Sequence, residues 1–153
     1  MKVKSIVGIA LMVIIYACGP KVTKSTDTLI KETQSYMSKV DAKNNLTEET
    51  TQGALTDSKG YKDIGTFKYT TFYSKKTSEL FKIKNVETTT NTITETYYFE
   101  ANALVAIKSE SSNGTKMVLL NNGKVISEKN VTPQEKKDLL KKAKRFKKAF
   151  EIE

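Results

Sequence analysis

Lys116-Met117-Val118-Leu119-Leu120-Asn121-Asn122-Gly123-Lys124-Val125-Ile126-Ser127-Glu128 is the stretch whose reading decides the fold. Two apolar-rich runs, Lys116–Leu120 and Lys124–Glu128, flank Asn122-Gly123. Asn and Gly both tolerate a positive φ, so this pair between two such runs is the strongest short signal of a hairpin. The same grammar extends upstream. Phe67, Tyr69, Thr71 and Tyr73 alternate with Lys68, Thr70 and Phe72, and Phe81, Ile83 and Val86 mark a second strand. Ile93, Glu95, Tyr97 and Phe99 share one face of a third, and Leu104–Lys108 supplies a fourth. Ser74-Lys75-Lys76-Thr77-Ser78, Ala101-Asn102 and Ser111-Ser112-Asn113-Gly114 separate them with turn-forming residues. Six short strands over Thr66–Asn130 read as an antiparallel meander.

Helical patterns flank the strands. Ser25 or Thr26 can cap a helix over 26–40, with Asp27 in its first turn and Leu29, Tyr36 and Val40 recurring on one face. Thr132-Pro133-Gln134-Glu135 supplies an N-cap, a proline at the first helical position and a glutamate at the third, the capping-box arrangement. Leu139, Ala143, Phe146 and Phe150 then form an apolar stripe. Lys137, Lys141, Lys144 and Lys148 recur two residues earlier, which turns them about 160° away from that stripe. Between the first helix and the strands, 41–65 is rich in Asn, Thr, Gly, Asp and Ser and predicts a long loop. The expected fold class is α+β: an N-terminal helix, a six-stranded antiparallel meander sheet and a C-terminal amphipathic helix packed on one face. With both helices on that face, the other would stay partly wet or open to a partner.

Composition removes several chemistries. The 153 residues contain no His, no Trp and one Cys. That excludes Ser-His-Asp and Cys-His triads, zinc sites built on His or Cys, and His- or Cys-ligated haem. Neither an EF-hand spacing nor a P-loop, a Rossmann glycine pattern or a nucleophile elbow occurs. No metal, cofactor or catalytic residue is therefore assigned. Arg145 is the only arginine among 26 basic residues. Base and phosphate recognition lean on arginine's planar fork, so the lysine-rich surface speaks for solvation or diffuse attraction to anions and against nucleic acid.

The N-terminus carries an address. Lys2 and Lys4 precede an uncharged apolar run, Ile6–Tyr16, followed by Ala17, Cys18 and Gly19-Pro20. Charged, apolar and small-residue regions in this order make a secretory signal peptide. Ile15-Tyr16-Ala17-Cys18 resembles the lipobox of bacterial lipoproteins, with an aliphatic residue at −3 and a small one at −1. The resemblance covers only about the first 20 residues. It implies that Cys18 is lipidated, with palmitate or similar acyl chains, and becomes the first mature residue. Two other readings compete: ordinary secretion with Cys18 as a free thiol, and an uncleaved anchor. The apolar run is short for the ~20 residues that a spanning helix needs. A faint repeat aligns Phe99–Val105 with Leu120–Ile126, and such hairpins resemble those of small bacterial envelope lipoproteins.

The expected organisation is a cleaved signal peptide at 1–17, a lipid-anchored tether at 18–24, and one α+β domain at 25–153 with a long loop at 41–65. Without its signal the chain loses two lysines, which leaves 24 basic against 17 acidic residues, a net charge of +7. The expected function is a non-enzymatic, lipid-anchored protein of the bacterial cell envelope. It would sit in the outer membrane, facing the periplasm or the surface, and bind an envelope protein or an anionic lipid or glycan. Lys137, Lys141, Lys144 and Lys148 are the candidate contacts for an anionic surface, against the plainer reading of a solvated helix face. The alternative is a periplasmic small-ligand-binding or inhibitor-like module that uses the sheet face. Glu95 and Glu100 are weighed as the two carboxylates of a glycosidase, but nothing around them favours catalysis. The aromatic residues of the strands read as core rather than as a carbohydrate platform.

Overall fold

The computed structural model describes residues 24–57 and 59–151. The expected signal peptide, Cys18 and the tether through residue 23 lie outside the described residues. The described chain runs α1 (Thr26–Asp41), β1 (Thr47–Thr56), β2 (Asp63–Ser74), β3 (Glu79–Thr88), β4 (Thr92–Glu100), β5 (Ala103–Ser111), β6 (Gly114–Asn121), β7 (Lys124–Lys129) and α2 (Pro133–Phe150). All seven strands join one antiparallel sheet in sequence order. Among the described residues no helix is long and apolar enough to cross a membrane.

The sheet has seven strands where the alternation predicts six, because 41–65 is not a loop. Its middle is β1, which pairs with β2 from Thr47↔Tyr73 to Thr56↔Asp63. Nearly every β1 residue is exposed. An edge strand that buries so little shows no apolar alternation, and what holds it is the backbone ladder to β2. Side chains add to this, among them the Tyr73 hydroxyl, which donates to Glu49 Oε1 at 2.5 Å. The Thr50 and Thr70 hydroxyls lie 3.0 Å apart, and the Phe67 ring covers Gly53 so closely that a Cβ there would stand 2.9 Å from it.

The hairpins follow the turn chemistry. Asn122 and Gly123 both have positive φ, 50° and 74°, as do Ala101 and Asn102 in the β4–β5 turn. A third turn uses Ser78 at φ 54°, with its N–H donating to Ser74 O at 2.7 Å.

The two helices lie on opposite faces of the sheet, not together on one. Leu139, Ala143 and Phe146 of α2 bury against Leu80, Ile83, Tyr97, Phe99, Ile107, Val118 and Leu120. Met37 and Val40 of α1 bury against Phe81, Tyr98, Ala106 and Leu119. Alternation explains the arrangement. Tyr97 and Tyr98 are neighbours on β4 whose side chains point to opposite faces, and both are buried. Central strands that are apolar on both faces need a cover on both. Each buried Leu, Ile or Phe side chain stabilises this sandwich by about 1.5–3 kcal/mol.

Polar ties fix α1. The Tyr36 hydroxyl donates to the Phe99 carbonyl. At the helix end, Asp41 accepts from Lys82 Nζ and from the Tyr98 hydroxyl, each at 2.9 Å. Burial, joined by the charges of Glu100 and Glu79, pushes the Tyr36 hydroxyl well above its ordinary pKa.

Candidate functional site

The structure gives α2 the capping box that its sequence predicts. Thr132 Oγ1 accepts from Glu135 N at 3.3 Å, and Glu135 Oε2 accepts from Thr132 N at 2.9 Å. Glu135 also accepts from Lys116, and these hydrogen bonds pull its carboxyl down to about 2. With its apolar stripe on the sheet, α2 turns Lys137, Lys141, Lys144 and Lys148 outward, and all four are exposed. Among the described residues none of the four has an ion-pair partner within 4.0 Å, whereas other lysines of the same helix do. Lys136 pairs with Glu128 at 2.7 Å, Lys147 with Glu151 at 3.3 Å, and Lys142 with Glu87 and Glu95. The outward row is therefore an uncompensated strip of positive charge about three turns long.

Beneath α2 lies an ionic cluster. The register sets Asn85, Glu95 and Ser109 side by side on β3, β4 and β5. The Glu95 side chain is only 8% exposed, and Lys142 Nζ donates to both of its oxygens at 3.0 Å. Glu95 Oε2 also accepts from the Tyr97 hydroxyl at 2.8 Å and from Asn85 Nδ2 at 3.3 Å. Lys142 and Asn85 both reach Glu87 as well, at 3.1 and 2.9 Å. Burial works to raise the Glu87 carboxyl, but the hydrogen bonds from Asn85 and Lys142 outweigh it and hold Glu87 below its ordinary 4.5. For Lys142, burial works downward and the Glu95 and Glu87 carboxylates outweigh it, which raises the ammonium above its ordinary 10.5. The Tyr97 hydroxyl is driven far up by burial and then by the charge of Glu95. Lys142, Asn85 and the Tyr97 hydroxyl thus tie both carboxylates together, and the cluster locks α2 to the sheet.

Glu95 and Glu100 cannot act as a pair. Glu95 lines a small cleft of about 190 Å³ with Ser109, Lys116 and Lys142 under α2. Glu100 lines a different cleft of about 770 Å³, with Leu29, Tyr36 and Val105 beside α1 on the other face. The sheet stands between the two carboxylates, and a glycosidase needs them flanking one bond. Tyr97 and Phe99 are core, as expected. Among the described residues no group of three or more potential metal ligands comes together.

Comparison of the chain with protein-family models, with curated proteins and with solved structures finds no match.

Of the residues that the sequence points to, the four lysines fall where helical spacing puts them, and Cys18 lies outside the described residues. Sequence reasoning missed Lys142, Glu87 and the partners of Glu95. One signal was available for Lys142. It follows Lys141 directly, which rotates it about 100° towards the apolar stripe, and a lysine at a helix–sheet boundary demands an acid below it.

Proposed function

We propose that the chain is a non-enzymatic, lipid-anchored protein of the bacterial cell envelope that binds an anionic envelope component through the outward face of α2. The observation that carries this reading is the contrast within one helix. Lys136, Lys142 and Lys147 are paired with acids, while Lys137, Lys141, Lys144 and Lys148 share one exposed face with no ion-pair partner among the described residues. Near a strongly anionic surface each lysine contributes about 1 kcal/mol. Four in a row amount to about 4 kcal/mol, enough to orient a domain that an acyl anchor already holds at the membrane. The lipobox-like Ile15-Tyr16-Ala17-Cys18 supports the anchor.

Flotation of the full chain with phosphatidylglycerol and with phosphatidylcholine vesicles tests the lysine face. The anchor contributes equally to both, so the difference isolates the charge. The expected result is a preference for the anionic vesicles that disappears when all four lysines become glutamate. It should also fade at about 1 M salt, where the screening length is about 3 Å. An unchanged preference in the four-glutamate variant would refute the lysine face. The anchor has its own test in cells. Cys18→Ala should leave the precursor uncleaved and move the mature protein out of the detergent phase. Normal processing and normal partition in that variant would refute lipidation.

A further inference from the structure

The sheet has two edges, β1 and β7, and only one of them is guarded. β7 is six residues long and has Lys124 and Lys129 at its ends. Short length and edge lysines are the usual devices that keep a strand from pairing with another chain. β1 is ten residues long, carries neither lysine nor proline, and is exposed along nearly its whole length. Every second residue of an antiparallel edge turns its N–H and C=O away from the sheet. A row of such groups this long is a template for another strand.

The charges of β1 favour a second copy of itself, run antiparallel. Glu48 and Glu49 are its only charged residues, both near its first end. A parallel copy would set acid beside acid. The regular part of the strand is 47–55, before the bulge at Leu55 and Thr56, and its centre is Thr51. A two-fold axis normal to the sheet at Thr51 sets Glu49 opposite Gly53 and Glu48 opposite Ala54. Opposed residues then share a face, as a continuous pleat requires. On the face that carries Glu48, Lys68 stands beside Gln52 and Lys84 beside Thr70. Among the described residues neither lysine has an acid within 4.0 Å, whereas Lys82 and Lys108 on that face are paired. Each copy's Glu48 therefore moves towards the other's unpaired lysines.

There is room for the second copy. α2 reaches the sheet at β2, where the Phe146 and Tyr69 rings lie 4.9 Å apart. A cleft of about 440 Å³ lies between the helix and the edge, lined by Thr51, Leu55, Phe67 and Tyr69 below and by Arg145 and Phe146 above. In the pair, β2 and its counterpart stand three strand spacings apart, about 14 Å. That exceeds the diameter of a helix with its side chains, about 10–12 Å.

We propose that β1 is the interface of a symmetric dimer, paired antiparallel and centred on Thr51. The two-fold axis keeps both α2 helices on one side, so both lysine rows face the same way. An interface one strand pair wide is small, and the dimer dissociates readily on dilution. It uses none of the lysine row and stands apart from the binding of anions.

Disulfide trapping reads the register. In the Cys18→Ala full chain no other thiol remains. Thr51→Cys then sets two thiols opposite each other, where Cα atoms lie about 4.5–5.5 Å apart, within disulfide reach. At about 1 mM protein, enough to populate a dimer with a Kd near 1 mM, mild oxidation should give a covalent dimer. Thr47→Cys and Leu55→Cys should each stay monomeric alone and cross-link when mixed. Val125→Cys, on the guarded edge, should stay monomeric. Ala54 is exposed, so its substitution changes charge without touching the core. Ala54→Glu sets like charges opposite Glu48 in both halves and should slow trapping at Thr51→Cys about five-fold, while Ala54→Lys should speed it by about as much. Any of three results overturns the proposal: no covalent dimer from Thr51→Cys, equal trapping in Thr51→Cys and Val125→Cys, or equal trapping in the Ala54→Glu and Ala54→Lys variants. An edge that serves a strand of a different protein would give the first.

Discussion

Replacing Lys142 with methionine should cost this protein far more than losing a lysine from the surface of a helix. Methionine keeps an unbranched stem over the sheet and deletes the ammonium, so the Glu95 carboxylate loses the donor that reaches both its oxygens at 3.0 Å. Removing one partner from a fully buried ion pair costs about 3–5 kcal/mol. Two features lower that figure here. The Lys142 side chain is 30% exposed, so water can approach the vacated place, and Glu95 keeps the Tyr97 hydroxyl and Asn85 as donors. The expected cost is about 2 kcal/mol. Urea unfolding measures it: with a slope of about 1–3 kcal/mol/M, the midpoint should fall by roughly 1 M with the slope unchanged.

Adding Glu95→Gln to Lys142→Met removes both charges and keeps an oxygen for the Tyr97 hydroxyl. The double variant should recover about half the loss, which makes the coupling about 1 kcal/mol plus whatever Glu95→Gln costs alone. The pH profile gives an independent check. The depressed Glu87 carboxyl contributes stability that is present above its ordinary 4.5 and is lost as pH falls below it. The raised Lys142 ammonium contributes stability that is present below its ordinary 10.5 and is lost as pH rises beyond. Lys142→Met should flatten the acid slope and remove only the Lys142 share of the alkaline one, since the raised hydroxyls of Tyr36, Tyr97 and Tyr98 keep the rest. A cost below about 0.5 kcal/mol with an unchanged pH profile would refute the reasoning, since that is the size of an ordinary surface substitution.

Tyr36→Phe deletes the hydroxyl that ties α1 to the Phe99 carbonyl and should cost about 1–2 kcal/mol in urea unfolding. Hydrogen exchange should rise more in α1 than in α2. Phe146→Ala removes the ring that packs on Tyr69 at 4.9 Å and on Tyr97 at 5.4 Å, and should cost about 3–5 kcal/mol. Gly123→Ala places a Cβ at φ 74° in the β6–β7 turn and should cost about 1 kcal/mol, read as a lower melting temperature with unchanged far-ultraviolet dichroism.

Much of this architecture is written locally. Asn122-Gly123 and Ala101-Asn102 take the positive φ values that their hairpins need. The capping box at Thr132 and Glu135 forms as its spacing dictates, because cap and helix lie within a few residues of each other. The lysine row is local as well. Once α2 docks by Leu139, Ala143 and Phe146, helical period alone turns Lys137, Lys141, Lys144 and Lys148 outward.

The remaining features depend on what lies across the sheet or above it. β1 has no alternation of its own and exists because β2 offers it a ladder, so its polar sequence reads as a loop. The placing of α1 and α2 on opposite faces follows from Tyr97 and Tyr98 both needing cover, a demand visible only once β4 is central. Glu95 meets Lys142 across 47 positions of chain, and Arg145 meets the cleft only because α2 crosses above Phe67 and Tyr69. By itself the sequence determined the elements whose causes are short in range: turns, caps, helical faces and the strand period. Tertiary structure decided the seventh strand, the two-sided core, the buried ionic lock and the cleft, because each is a contact between residues that no local spacing brings together.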